Sequence, residues 1–268
     1  MNILSARFSD DMRKTEEFVD LIKSTFDLAK QDIKHLRSKH PIMVNALDVH
    51  TKARKLGGTS EVYDGAFLTI CAQYEFTVRD LIETFAGNLS SKIPIFQNLP
   101  DIIRSYYPKG CATLLLHIDQ EKYNHLTQQD VLSSLASCVN CSTGSPYHFV
   151  VDAFSNHERN LNAGVINEIY SQRLGMKDIW KRIARQTALA DYLGSKDKNT
   201  VEKIAKEKLD GAIKHRNNII HRGRSFSHTG ESEVRNTAQY FSALMDSLAI
   251  VMDKYEQSLD AGMSNQSR

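Results

Sequence analysis

The sequence has few of the residues that interrupt helices or cross-link a chain. Its 268 residues include five prolines, thirteen glycines and four cysteines. Scarce proline and glycine favour helices over turn-rich sandwiches and barrels, and four cysteines in a chain of this length argue against a disulfide scaffold. No apolar run approaches the roughly 18 residues that a membrane span needs, and the opening residues, MNILSARFSDD, do not resemble a signal peptide. We therefore expect a cytoplasmic protein without a membrane segment.

The charges of the chain are nearly balanced. Lysine and arginine number 34, aspartate and glutamate number 32, and the formal net charge is +2. Such a balance does not by itself indicate a nucleic-acid-binding protein, whose positive charge would have to be concentrated on one surface. Hydrophobic residues make up 41% of the chain, which is enough for a sizeable core.

Apolar residues recur at three- and four-residue spacing along most of the chain, and this spacing predicts helices. No segment shows a convincing strand alternation, so the predicted fold class is all-α. The unusual length of the first and last helices favours a bundle or a dimer formed through helices. The predicted helices are 9–36, 64–89, 99–107, 112–123, 128–139, 162–174, 177–193, 200–221 and 233–259.

Two of the long helices have faces that can be assigned from the pattern. Ser9 or Asp10 is expected to cap the first one, with Phe18, Ile22 and Phe26 facing the core. The second turns a continuous apolar face inward, formed by Phe67, Ile70, Cys71, Tyr74, Val78, Leu81 and Phe85.

Other segments are predicted from breaks and caps. Residues 40–63 are predicted to be irregular, with a break at Gly57 and Gly58, and residues 142–146, STGSP, are predicted to form a loop. Asn199 is a suitable cap for the helix at 200–221.

The stretch KHRNNIIHRG, residues 214–223, contains a charge in an unexpected position. The apolar line of its helix includes Leu209, Ile213 and Ile219, and Arg216 falls on the same line. Burying an unpaired guanidinium costs several kcal/mol, so Arg216 is expected to face a partner charge, a cleft or a ligand.

Two interpretations of this stretch are open from the residues alone. Arg216 could form an ordinary ion pair with Glu75 or Asp80, and His221 could simply stabilise the carboxyl end of the helix before Gly223 ends it. Alternatively, Arg216 and His221 could act together. They are about 140° apart on a helical wheel, so they converge only if the helix ends between them or the arginine side chain curls back.

RNNIIHRG resembles the signature of the HEPN superfamily, in which an arginine and a polar residue precede a histidine near the end of a helix. The RiboL-PSP-HEPN branch, or the related MAE-type HEPN-like nucleases, is the most similar group. Further similar segments are YEFTVRDL (74–81), VINEIYSQRLGMKDIW (165–180) and the long last helix. The chain departs from this group at Arg222, where relatives often have glycine, so Gly223 comes one place late.

The resemblance implies a HEPN-like helical bundle with two long helices and inserted shorter ones. A single elaborated domain would span residues 1–260, with a possible helical insertion at about 90–160 and a flexible tail at 261–268. The implied activity is a metal-independent endoribonuclease without a cofactor.

The resemblance also implies roles for three residues. Arg216 would bind the phosphate, His221 would act as acid or base, and Asn217 would orient them. Histidine suits either proton role near neutral pH, and arginine offers two parallel donors to phosphate oxygens. Attack by the 2′-hydroxyl would leave a 2′,3′-cyclic phosphate and a 5′-hydroxyl.

The single histidine of the motif suggests a partner copy. A homodimer that brings two motifs to one groove would supply both acid and base. RNA is the expected ligand, bound by Lys214, His215, Arg222 and Arg224, and a second basic cluster lies at residues 173–185. The family suggests a toxin or antiphage effector with an antitoxin or sensor partner. The competing hypothesis is a catalytically inactive HEPN interaction module.

Three further features have simpler interpretations. Cys138 and Cys141 form a CxxC pair but lack a second pair of ligands, so no metal site is predicted. Glu75 and Arg79 are one turn apart and are expected to form a helical ion pair, although Glu75 could also orient Arg216. Trp180 is more typical of a core anchor than of a base-stacking residue.

Overall fold

The protein is built from helices. The structure, a computed structural model, describes residues 1–30, 41–56, 59–139, 146–157, 159–221 and 228–264, and these residues contain no strand, so the all-α prediction is confirmed. The helices are α1 (Asn2–Lys30), α2 (Pro41–Leu56), α3 (Ser60–Lys92), α4 (Asp101–Leu116), α5 (Gln128–Val139), α6 (Asp152–Ser155), α7 (Ala163–Glu168), α8 (Ile179–Ile183), α9 (Thr187–Leu193), α10 (Lys198–Ile220) and α11 (Glu231–Ser264).

The core forms around α3 and α11. The helix α11 packs against α1, α3, α8 and α9, and α3 also contacts α1, α6 and α10. The rings of Tyr74 and Phe241 stack between α3 and α11 with centroids 4.5 Å apart. The inward face predicted for α3 is confirmed, since all seven of its predicted residues are buried.

The predicted start of the first helix is wrong, and its predicted face is right only in part. It begins at Asn2, so Ser9 and Asp10 lie inside it and do not cap it. Its buried apolar residues are Phe8, Met12, Val19 and Ala29, whereas Phe18 is 46% exposed. Ala29 is buried as predicted, and Ile22 is partly buried against the core. The apolar pattern supports two overlapping faces, and contact with α11 and α3 selects the one that includes Phe8.

The region around residues 40–63 and the region after α3 also differ from expectation. Residues 41–56 form α2, which packs against α1. The prediction of irregular structure is therefore wrong for these residues. The predicted helices at 99–107 and 112–123 are replaced by α4, which continues through Pro108. Its buried stripe crosses the proline, so packing offsets the lost hydrogen bond. The predicted breaks at 57–58 and 142–145 lie outside the described residues.

Short helices fill the second half of the chain. After α7, residues Ile169–Arg173 form a π-helical turn, which ends before Gly175 at φ 75°. The predicted helix 177–193 is divided into α8 and α9, and α9 ends at Gly194 with φ 64°. Trp180 is buried and its indole N–H donates to the carbonyl of Ala163 at 2.9 Å, as expected of a core anchor.

The helix α10 carries the motif and packs against α3, α7, α8 and α9. Asp197, and not the predicted Asn199, caps it by accepting the backbone N–H of Thr200 at 2.9 Å. The helix α11 continues to Ser264, so helical residues occupy the start of the predicted tail. The division into one domain with an insertion stays a prediction. None of the described helices has the length and hydropathy of a membrane span.

Candidate active site

Arg216 lies on α10 between buried apolar residues. Ile213 and Ile219, on either side of it in sequence, are 4% and 9% exposed. The side chain of Arg216 itself is 23% exposed, because it reaches out of the core towards α3 and towards the segment that precedes α7. The arginine therefore lies at the edge of the core, where a charge can be both held and reached.

The guanidinium of Arg216 is held by two asparagines. One of its nitrogens donates to Oδ1 of Asn160 at 2.6 Å and to Oδ1 of Asn217 at 3.3 Å. The amide nitrogen of Asn160 donates to the same Asn217 oxygen at 3.2 Å. These three side chains are therefore hydrogen-bonded to one another, and the orienting role of Asn217 stays a prediction.

Glu75 of α3 faces the same guanidinium. Its Oε2 lies 3.6 Å from Nη2 of Arg216, and its Oε1 is buried without a hydrogen-bond partner among the described residues. The predicted ion pair between Glu75 and Arg79 is not formed, and Arg79 makes no ion pair within the described part of the chain. Of the two carboxylates that the sequence offered as partners of Arg216, Glu75 is therefore the one that faces it.

The segment before α7 is held firmly where it passes the site. We call residues 156, 157 and 159–162 the connecting segment. The hydroxyl of Tyr74 donates to the carbonyl of Leu161 at 2.9 Å, and the N–H of Ala163 donates to Asp210 at 2.8 Å. No pattern in the sequence points to Asn160, because a segment without periodicity reveals its neighbours only once the helices are packed.

His221 is the first residue beyond α10. It is exposed, and its backbone N–H donates to the carbonyl of Asn217 at 3.0 Å, which closes the last turn. Lys214 is also exposed. The imidazole of His221 is therefore open to solvent at the end of the helix that carries Arg216.

The other predicted RNA contacts divide into two groups. His215 is turned inward. Its ring meets that of Phe67 edge-on, with the ring centroids 4.7 Å apart, and its Nε2 lies 3.0 Å from the hydroxyl of Thr229. Arg222 and Arg224, together with Gly223, lie outside the described residues. In the second basic cluster, Arg173 is buried, whereas the exposed cations are Lys177, Lys181, Arg182 and Arg185.

Asp64 of α3 holds the residues that precede α11. Asp64 of α3, which is 6% exposed, accepts the backbone N–H of Thr229 at 2.9 Å and its hydroxyl at 2.6 Å. The Nδ1 of His228 lies 2.9 Å from the other oxygen of Asp64. The beginning of α11 is therefore tied to the beginning of α3, beside the end of α10.

Metal ligands are not grouped in the described ranges of the chain, where no cluster of three or more histidine, cysteine, aspartate or glutamate side chains is arranged for a metal ion. Cys138 is buried against the core, and Cys141 is outside the described residues.

Comparison with known proteins identifies the family. The family model RiboL-PSP-HEPN matches residues 44–254, which include Glu75, the connecting segment and the motif on α10. The chain belongs to the RiboL-PSP-HEPN family. No curated protein and no solved structure matches the chain significantly. Membership of this family agrees with the all-α fold and indicates an RNA-related or nuclease-type role.

Proposed function

We propose that the protein is a metal-independent endoribonuclease that cleaves RNA through attack by the 2′-hydroxyl. One observation carries this proposal. The guanidinium of Arg216 is partly exposed and is held chiefly by neutral amides, while the exposed His221 ends the same helix. Neutral amides position a cation without cancelling its charge, so a phosphate can still bind it.

The chemistry follows from the two side chains. Arg216 binds the non-bridging oxygens of the scissile phosphate and stabilises the charge that develops there. His221 transfers a proton to or from the reacting oxygens, and Asn217 keeps the guanidinium oriented. The products are a 2′,3′-cyclic phosphate and a 5′-hydroxyl.

RNA needs a surface around this site. We propose that Lys214, with Arg222 and Arg224, contacts the phosphate backbone without reading the sequence. His215, which the structure turns inward, supports the end of α10 against Thr229 in this scheme. HEPN domains commonly bind RNA and dimerise, which supports a groove shared by two copies of the chain.

The biological setting is proposed from the family alone. A cytoplasmic toxin or antiphage effector, controlled by an antitoxin or sensor protein, would suit a ribonuclease that is harmful to its own cell.

A second candidate function is a catalytically inactive HEPN interaction module. The contact between Glu75 and Arg216 favours it, because an arginine that only stabilises the fold would be expected to face a carboxylate. The two candidates differ in whether Arg216 and His221 are needed for turnover or only for folding and binding.

The test is cleavage of mixed RNA by the purified protein in EDTA. We expect cleavage by the parent chain and a loss of about a hundredfold or more in Arg216→Ala and in His221→Ala, the size of general acid–base and charge-stabilisation effects. Arg13→Ala, which removes an exposed arginine of α1, is the control and should retain full activity. Equal activity of all four proteins would remove the catalytic assignment, and inactivity of all four would favour the interaction module.

A further inference from the structure

The guanidinium of Arg216 carries more N–H donors than the chain uses. Its Nη1 donates to Oδ1 of Asn160 at 2.6 Å and to Oδ1 of Asn217 at 3.3 Å. Among the described residues, no acceptor lies within hydrogen-bond distance of Nε or Nη2, since the carboxylate of Glu75 is 3.6 Å from Nη2. Nε and Nη2 form one edge of the planar group, so this is the edge that a phosphate can bind through two parallel hydrogen bonds.

Asn160 and Asn217 reach the guanidinium from different parts of the chain. Asn217 follows Arg216 directly on α10, whereas Asn160 belongs to the connecting segment before α7. Oδ1 of Asn160 accepts the shorter of the two hydrogen bonds, and its Nδ2 donates to Oδ1 of Asn217 at 3.2 Å. One amide of the connecting segment therefore contacts both the guanidinium and the asparagine of the motif. Its removal would leave both groups in place but no longer fixed in orientation.

The backbone that follows Asn160 is fixed to the two helices that meet at the site. The buried Tyr74 of α3 donates its hydroxyl to the carbonyl of Leu161 at 2.9 Å. Asp210 of α10 accepts the backbone N–H of Ala163 at 2.8 Å. The position of Asn160 is therefore set relative to α3 and α10 together. A group that orients another needs such support, because a displacement of about 1 Å can cost on the order of a hundredfold in rate.

An amide at residue 160 combines two properties that other side chains lack. It accepts from Arg216 and donates to Asn217 through one planar group, and it carries no charge. A carboxylate could accept from the guanidinium, but it could not donate to Asn217 and would offset the positive charge. An apolar side chain could make neither hydrogen bond. The amide therefore orients the cation and leaves its charge for a ligand.

We propose that Asn160 is a positioning residue, which holds the guanidinium of Arg216 so that Nε and Nη2 face the scissile phosphate. This inference rests on the proposed ribonuclease function and adds a residue outside the motif on α10. Asn160 does not touch RNA and takes no part in proton transfer. Each copy of a homodimer holds its own Arg216 in this way, so the role of Asn160 agrees with a groove shared by two copies.

The first test is the kinetics of RNA cleavage by Asn160→Ala. We expect kcat to fall by about tenfold to a hundredfold, because the guanidinium loses its orientation. KM should stay within about threefold of the parent, since the charge that binds phosphate is retained. Asn162→Ala is the matched control, because it removes the amide that caps α7 in the same segment. It should lower the thermal transition and leave kcat within about twofold of the parent.

A second measurement shows whether Asn160 acts through the guanidinium. Arg216→Lys keeps a positive charge but has no planar group to orient. We expect Arg216→Lys to cleave RNA slowly, and the addition of Asn160→Ala should lower its kcat by less than about twofold. If Asn160 only stabilised the fold, the two substitutions would act independently, and Asn160→Ala would lower kcat by the same factor in both backgrounds.

The outcomes separate this proposal from the one on which it rests. Full activity of Asn160→Ala, together with inactive Arg216→Ala, would overturn the role of Asn160 and leave the ribonuclease intact. The same loss from Asn160→Ala in the parent and in Arg216→Lys would also overturn it, as would a higher KM with an unchanged kcat. A parent chain that does not cleave RNA in EDTA would remove both proposals.

Discussion

Two arginines contact the connecting segment or its flank, and they are held in opposite ways. Arg173, in the π-helical turn, is 8% exposed and donates to the backbone carbonyls of Phe154 at 3.1 Å and Asn156 at 2.5 Å. Its guanidinium also lies over the ring of Tyr106 and 3.4 Å from Glu168. Backbone acceptors cannot move away, so this arginine is fully committed to the fold.

Arg216 has weaker and more replaceable partners. It is more exposed, its hydrogen bonds go to the side-chain amides of Asn160 and Asn217, and Glu75 lies beyond normal hydrogen-bond distance at 3.6 Å. Side chains can rotate to admit a ligand, whereas carbonyls of packed backbone cannot. A structural arginine and a ligand-binding arginine at the edge of a core therefore differ more in the kind of acceptor they contact than in how deeply they are buried.

The largest difference should appear in stability. We expect Arg173→Ala to lower the free energy of unfolding by about 3 kcal/mol, because it leaves two buried carbonyls and a carboxylate without their donor. Arg216→Ala should lower it by less, about 1 kcal/mol, since Asn160, Asn217 and Glu75 are each only partly buried and water can replace most of the lost contacts. Urea denaturation of the two variants beside the parent measures both values. Equal losses would mean that Arg216 is as structural as Arg173.

An intermediate effect should follow from giving Arg216 a permanent charged partner. In Asn160→Asp a carboxylate replaces the amide whose oxygen accepts from Arg216 at 2.6 Å, and its negative charge offsets that of the guanidinium. We expect RNA to bind about tenfold more weakly, with the slope of log K against log salt shallower by roughly 0.7, the value of one lost phosphate contact on a single strand.

The control for this experiment adds the same charge nearby. Asn162 caps α7 through its side chain, and aspartate caps helices equally well, so Asn162→Asp should leave RNA affinity within about twofold. Equal affinities for the parent and Asn160→Asp would mean that Arg216 does not contact phosphate.

The smallest effect concerns the pH dependence of stability, through His157 of the connecting segment. Burial lowers the pKa of His157 below its ordinary value of 6.5, with the Ser155 carbonyl and Glu75 opposing and Arg79 and Arg173 adding to the shift. A base whose pKa is lowered on folding stabilises the fold above its unfolded pKa, and this contribution is lost as pH falls through the folded value. We expect the parent to lose somewhat more stability than His157→Asn between pH 7.5 and pH 5, by less than about 1 kcal/mol. Identical losses by urea denaturation at the two pH values would contradict this.

The sequence was sufficient for the long elements whose pattern admits one solution. The inward face of α3 is as predicted, because an uninterrupted apolar stripe can be buried in only one way. The approximate span of α10 is also as predicted. The buried face of the first helix was predicted only in part, because its apolar residues are compatible with two faces. Contact with the neighbouring helices selects one of them. The prediction for α4 was wrong because Pro108 suggested a break in the helix. Burial of the apolar residues on both sides of Pro108 keeps the helix continuous.

The candidate site was predictable only in part. Arg216 was identified from its position on the apolar line of its helix. Glu75 was one of the two carboxylates predicted as possible partners of Arg216. Asn160 lies in a segment without secondary structure, so its approach to α10 depends on how Tyr74, Asp210 and Arg173 hold that segment and its flanks. Contacts of that kind are set by packing and leave no periodic signal.

The buried Asp64 has a consequence for how the helix that carries Arg216 is supported. Its carboxylate accepts the backbone N–H and the hydroxyl of Thr229, and Nε2 of His215 on α10 lies 3.0 Å from the same hydroxyl. One carboxylate of α3 therefore helps to set the separation between the entry of α11 and the last two turns of α10. Loss of that carboxylate would disturb the motif helix without removing any group that is proposed to touch RNA.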